Sequence, residues 1–435
     1  MPAPRQHKRP RGTILGVAVA LGLAATAACG GGATAEDESR GTAAFEQLSP
    51  SDAPALYDVV ATSNTTGFRL MELADPVANA VVSPASFTFA FAMLAPGASG
   101  DAVDEMTQML GAPPADAVDA VNALMGVLAE WEGDVTAFDP EEIPETPFVH
   151  VANRVTIDDQ FAVEEAYLDV LSQRFDAGLG SADLSSPAAK DLFDEWVQRH
   201  TAGLIEESAL EPSEDLVLAL QNAVLFAARW LDPFEEDATL PREFTPLDGA
   251  PFETEMMSGL KQNAAYAESG GWTAIALPYT EGFTAVFALP PEGADPMAQG
   301  HAAVASAVDS LKEQLAGVQR GSVQVTLPIV DTKSKLELLP ALEAMGFSAI
   351  LTGSARPFDG IAPVELEIGQ AAQQAVLKVN EEGTVAAAVT EIGMDATSAP
   401  VVDHEFLADR PYLMVITEDS TGWDLFQAAI RDPRQ

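Results

Sequence analysis

The spacing of apolar residues changes along this chain. Residues 87–110 carry them at helical intervals, interrupted at Pro96 and Gly97, which predicts two consecutive helices. Residues 161–175 and 187–200 repeat the helical period, the second with Pro187 at its start. Residues 216–227 are a long apolar run, as expected of a central strand covered on both faces. Residues 273–289 read as strands turning at Glu281 and Gly282, and residues 322–330 alternate, with Val325, Leu327 and Ile329 on one side. A helix is predicted over 336–345, stopping at Gly346, and residues 411–416 are apolar and β-prone. Helices first and strands later predict an α+β fold.

Residues 375–398 break the ordinary rules for a loop. A strand-like segment at 375–379 runs into Glu381, Glu382 and Gly383, and a row of small and β-branched residues follows. Residues 384–390 contain no Gly, Pro, Asn, Asp or Ser, the residues that turn a loop and keep it solvated. On a strand, Thr384, Ala386, Ala388 and Thr390 share one face, with Ile392 and Met394 beyond them, and none is charged. Val385, Ala387 and Val389 share the other face, which then takes Glu391 and Asp395. One face could pack on a core while the other stays wet, so no carboxylate would be buried unpaired. The pattern alone leaves two readings: a segment composed to enter a sheet, and an edge strand or alanine-rich surface loop.

Length and composition bound the rest. By length alone 435 residues suggest about three domains, but no Pro/Ser-rich or charged linker and no repeat divides residues 53–435, so one large domain is expected there. A hydrophobic fraction of 47% argues against global disorder. Arg5, Lys8, Arg9 and Arg11 precede an apolar stretch at 13–28 that is short for a membrane span, so residues 1–28 read as a targeting segment. Residues 27–30, Ala-Ala-Cys-Gly, resemble a bacterial lipobox, with Thr26 where Leu is commonest. The favoured reading is a signal peptide removed before Cys29, acylation of that cysteine to anchor the protein to a lipid membrane, and a flexible tether over 29–52. The competing reading is plain secretion, with cleavage after Ala27. Cys29 is the single cysteine, so stability must come from packing rather than an internal disulfide.

Charge and motifs exclude whole classes. With 22 basic and 66 acidic residues the net charge is −44, which rules against nucleic-acid binding. There is no G-x-S-x-G, G-x-x-x-x-G-K-[ST] or G-x-G-x-x-G motif. His150, His200, His301 and His404 lack metal-pair spacing, and among so many acids a carboxylate pair carries no information. Neither an enzyme nor a cofactor or metal protein is expected. Trp230 reads as a buried core aromatic rather than a ligand platform.

Residues 378–390, KVNEEGTVAAAVT, resemble the hinge of the serpins, the suicide protease inhibitors with a mobile reactive-centre loop. Other segments resemble serpin motifs in the same order: NAVVSPAS at 79–86, NAVLFAARW at 222–230 followed by DPF at 232–234, MMS at 256–258, FDGI at 358–361, FLADRPY at 406–412 and LF at 425–426. The resemblance implies helices packed on a large central mixed sheet, two smaller sheets and an exposed loop. It implies a monomeric inhibitor of serine proteases that is cleaved, holds the protease as an acyl-enzyme and inserts its hinge into the main sheet. It assigns the hinge to Glu381, Glu382, Gly383, Thr384, Val385, Ala386, Ala387, Ala388, Val389 and Thr390. Gly383 would supply backbone freedom at the pivot. Trp230, Asn222, Ser83, Ser86 and Gln373 fall at the breach and shutter.

Family spacing puts the cleaved bond at Thr397–Ser398, with Ala396 and Ser398 the neighbouring registers. A small uncharged Thr397, with no Lys or Arg from 382 to 408, points to an elastase-like or subtilisin-like target. Acidity disfavours activation by polyanions and serves solubility or steering towards basic proteases. Three departures stand out: Gln373 where the family has His, Val385 where Glu is usual, and the bulkier Val389. The alternatives are a non-inhibitory serpin-fold surface lipoprotein, carrier or chaperone-like, and a solute-binding lipoprotein.

Overall fold

The computed structural model describes residues 38–39, 42–177, 179–214, 216–351, 356–364, 366, 368–384 and 402–435. Residues 37–435 form one compact unit. Cys29, Val385, Ala386, Ala387, Ala388, Val389, Thr390, Thr397 and Ser398 lie outside the described residues.

Helices dominate the first part. Leu56–Leu73, Pro84–Leu94, Asp101–Leu110 and Pro114–Leu128 pack together and against the sheets. The break expected at Pro96 and Gly97 is a single 3₁₀ turn, Ala95–Gly97, between two helices. Helix Glu165–Phe175 starts later than the apolar spacing from 161 suggested, because Glu164 is still extended and its N–H bonds Ile361 O. Helix Ala188–His200 follows its Pro as expected. Helix Leu338–Met345 ends on left-handed Gly346, a conformation that glycine adopts without the strain a Cβ would bring.

Among the described residues, the main sheet has seven strands, in the order Glu38–Ser39, Leu179–Ala182, Phe148–Asp158, Leu218–Arg229, Gly383–Thr384, Ala372–Val379, Val330–Glu337. It is mixed, since Phe148–Asp158 and Leu179–Ala182 run parallel and the other pairs antiparallel. The two smaller sheets expected from the resemblance are joined. The 18-residue strand Phe252–Ser269 pairs first with Leu240–Phe244 and Gly321–Pro328, then with Trp272–Pro278, and so links them into one path. Its burial pattern shifts along its length as its partners change, so no steady alternation marks it in the sequence.

One expectation needs correction. The apolar run at 216–227 suggested a strand covered on both faces. In Leu218–Arg229 the alternate residues Leu218, Leu220, Asn222 and Val224 are only half-buried. All four border a cavity within the main sheet.

Candidate functional site

The site begins where strand Ala372–Val379 ends. Asn380 turns the chain: its Oδ1 accepts the N–H groups of Glu382 and Gly383, each at 3.1 Å, and its own N–H donates to Gly383 O at 3.0 Å. Such side-chain capping of a turn is what Asn does well. The reversal sends Gly383 and Thr384 back antiparallel, between two long strands. Gly383 pairs with Arg229, and Thr384 pairs with Ala228 on one side and Val379 on the other.

This position demands glycine through space rather than dihedral freedom. A Cβ on Gly383 would lie 2.1 Å from Ala228 O and 2.9 Å from Arg229 Cα. Gly383 is not among the residues with positive φ, so in this conformation the constraint is the close approach of two backbones.

Thr384 is 2% exposed, and its hydroxyl meets the Tyr279 hydroxyl at 2.6 Å. Burial pushes the Tyr279 phenol up, well beyond the ordinary range, so it stays protonated. Trp230 stacks on the Tyr279 ring, centroids 4.5 Å apart, and donates its indole N–H to Asn380 O at 3.0 Å. Its backbone N–H holds Glu382 O, and that of Phe234 holds Glu381 O, both at 2.8 Å. The acidic pair is tethered separately. Glu381 accepts from the Thr239 hydroxyl, and Glu382 lies 3.4 Å from Arg229 Nη2.

Below Thr384 the two long strands part. Among the described residues, the ladder pairs linking Leu218–Arg229 to Ala372–Val379 run through Gly383 and Thr384. Beneath lies a cavity of about 130 Å³, lined by Leu220, Asn222 and Val224 on one side, Gln373 and Ala375 on the other, and Thr384 at its head. Its walls are the two neighbours that Gly383–Thr384 separates at the head.

The shutter residues fall into two groups. Ser83 caps helix Pro84–Leu94, accepting the Ser86 N–H at 3.1 Å. Gln373 closes a two-bond ring on the Ser83 backbone: Oε1 accepts its N–H at 2.9 Å and Nε2 donates to its O at 2.8 Å. The amide therefore pins strand Ala372–Val379 to the helix beneath it. Asn222 stands apart on the opposite wall, donating to Ala152 O at 3.3 Å. The linker after helix Ala188–His200 is tied to the same strand. Gln374 Oε1 accepts the Ala209 N–H at 2.8 Å, and Gln374 Nε2 donates to Glu207 O at 3.0 Å.

Tyr279 and Asn380 were not singled out by the sequence. Asn380, just before two acids and a glycine, carried a turn signal. Tyr279 carried none, since it reaches Thr384 from 105 residues away.

A family model described as Serpin (serine protease inhibitor) matches residues 62–433. The chain belongs to the serpin family. Iripin-2 of Ixodes ricinus is 30% identical over 377 residues, covering 84% of this chain and 90% of that relative. Alpha-1-antitrypsin 1-1 of Mus musculus is 26% identical over 365 residues, covering 82% and 83%. Among solved structures, the thermophilic serpin tengpin in its native state superposes with a TM-score of 0.75 at 21% identity, covering 89% of this chain and 97% of that one. Human glycosylated kallistatin gives 0.73 at 22% identity, covering 87% and 99%. These two likenesses establish the serpin fold. That description supports protease inhibition as the general role of the family.

Proposed function

We propose that this serpin is a suicide inhibitor of serine endopeptidases whose cleaved loop fills the slot between Leu218–Arg229 and Ala372–Val379. One observation carries the reading: among the described residues no strand lies between these two neighbours below Thr384, and Gly383 and Thr384 already enter at the head. The direction of these two residues fixes that of the new strand, antiparallel to both neighbours. With the parity of Thr384, the residues Ala386, Ala388 and Thr390 turn inward, and all are small or uncharged. Val385, Ala387 and Val389 take the other face. No Pro occurs from 384 to 399, so each entering residue brings a donor to the ladder.

The chemistry is that of the target. The protease serine attacks the Thr397 carbonyl, the Thr397–Ser398 bond breaks, and the amine of Ser398 departs on the C-terminal piece. The enzyme is left as an ester of Thr397. Loop insertion then competes with hydrolysis of that ester. The small side chain of Thr397 suits an elastase-like or subtilisin-like first pocket. A lipid anchor at Cys29 would confine the inhibitor to a membrane surface.

The test is incubation of the chain without residues 1–28 with an elastase-like and a subtilisin-like protease. A complex that survives a denaturing gel, with a released peptide beginning at Ser398, supports the proposal. Cleavage without complex, followed by a large rise in melting temperature, means insertion is too slow to trap. Cleavage with neither complex nor stabilisation points to a non-inhibitory serpin, carrier or chaperone-like. Metabolic labelling with a fatty acid, in the full chain and in Cys29→Ser, tests the anchor.

A further inference from the structure

Helix Ala188–His200 lies over the strands beside the slot. Trp196 and Val197 pack on Ala152 and Ala223, and both line the cavity. Its last residue meets the sheet through one polar contact. His200 Nδ1 lies 3.0 Å from Nε2 of His150, on strand Phe148–Asp158. His150 pairs across the ladder with Leu225, on the wall of the slot.

The geometry of the contact is restrictive. The ring planes are 6° apart and the ring centres 5.3 Å apart, further apart than the two nitrogens. The rings are therefore coplanar and meet edge to edge, each nitrogen aimed at the other. Such lone pairs leave no common point off the axis for a cation; they share a proton. On its far side His150 Nδ1 lies 3.2 Å from Glu132 Oε1, and because a carboxylate only accepts, that nitrogen carries hydrogen. When both rings are neutral, His150 Nε2 is bare and His200 Nδ1–H donates to it. With one added proton the bond reverses, His150 donating and His200 changing tautomer. With two, N–H faces N–H along one line, and the contact becomes a repulsion between two cations.

We propose that the His150–His200 pair is an acid-released clamp that holds the helix end on the sheet at neutral pH and frees it, and so widens the slot, when both rings are protonated. This rests on the slot-filling reading above and assigns a regulator to that site. The surrounding charges fit. Glu132 and Asp134 face His150 from the loop after residue 131. Arg199 on the helix and Arg154 on the strand oppose the second proton. Burial first, then His150 and these two arginines, holds the His200 ring down to about 4 from 6.5. The sign follows: a depressed base contributes stability above its ordinary pKa, and that contribution is lost as pH falls from 6.5 towards 4. A histidine on an exposed helix C-terminus would instead be drawn to protonate by the helix dipole.

The test compares the full chain with His200→Gln, whose amide N–H keeps a donor towards His150 but cannot charge. Two readouts are taken at pH 7.5 and pH 5: hydrogen-exchange protection of helix Ala188–His200, corrected for intrinsic rates, and uptake of a synthetic peptide of residues 384–397 into the slot. In the wild type, protection falls and peptide uptake rises by about tenfold on acidification, the scale set by a pKa shift of more than one unit. In His200→Gln both stay nearly level, and His150→Gln flattens them in part, since burial still acts on His200. Equal pH profiles in wild type and variants overturn the clamp. Acid release of the helix in wild type alone, with no peptide uptake by any protein, overturns the slot reading and with it the role given to the clamp.

Discussion

Thr384→Arg attacks the proposed mechanism at its first step. The Thr384 side chain is 2% exposed and its hydroxyl is bonded to a buried tyrosine at 2.6 Å. Arginine removes that bond and leaves the Tyr279 hydroxyl unpaired, which costs about 1–3 kcal/mol. Burying an unpaired guanidinium costs several kcal/mol more, so the side chain stays in water and Gly383–Thr384 leaves the sheet. If only about 3 kcal/mol is added to the barrier for strand entry, insertion slows about a hundredfold, since each 1.4 kcal/mol is tenfold. The acyl-enzyme is untouched, so hydrolysis keeps its rate and wins the competition. The stoichiometry of inhibition, from titration of a fixed amount of protease, exceeds one by the ratio of hydrolysis to insertion, and that excess should rise about a hundredfold. The denaturant-stable complex should vanish while cleavage continues. Thr384→Ser, which keeps the hydroxyl, should trap nearly as well as wild type. If Thr384→Arg still trapped protease near equimolar ratio, strand entry led by Thr384 would be the wrong mechanism.

Other perturbations read other parts of the site. Gly383→Ala puts a methyl 2.1 Å from Ala228 O, a main-chain atom that cannot step aside. The native state should lose about 1–3 kcal/mol, seen as a fall of a few degrees in melting temperature. Gln373→Ala orphans the buried Ser83 N–H and unties strand from helix, and should cost about 1–3 kcal/mol and hasten thermal conversion of the native form. Lys261 is 3% exposed, donates to Asp232 O and Pro233 O, and burial pulls its ammonium down to about 8 from 10.5 against the pull of Asp232 and Glu235. The unfolded chain then binds more protons between these values, so resistance to unfolding should rise as pH goes from 8 towards 10.5. Lys261→Met should lack that rise in melting scans across the same range.

The elements with strong local signals were legible in the sequence. Gly346 stopped a helix where glycine alone is unstrained, and Pro96 with Gly97 marked a break between helices. The hinge was assigned to Gly383 and Thr384 through the resemblance of residues 378–390 to the serpin hinge, while the pattern alone left a sheet segment and a surface loop both open. Strand Phe252–Ser269 and the half-covered face of Leu218–Arg229 were not legible, since both depend on which partner lies alongside. Gln373 stood out as a departure from the family's His, and packing sets its amide on the Ser83 backbone.

By itself the sequence determined the α+β class, the apolar surface available for burial, and a hinge free of Pro and charge on its inward parity. These follow from backbone chemistry and side-chain period, which are local. Only the tertiary structure decided that Tyr279 meets Thr384, that Gly383 is required for room, that a slot stands open beneath it, and that His150 and His200 share one axis. Each is a meeting of residues far apart in the chain, and such distances are set by the packing of whole elements, which no local pattern encodes.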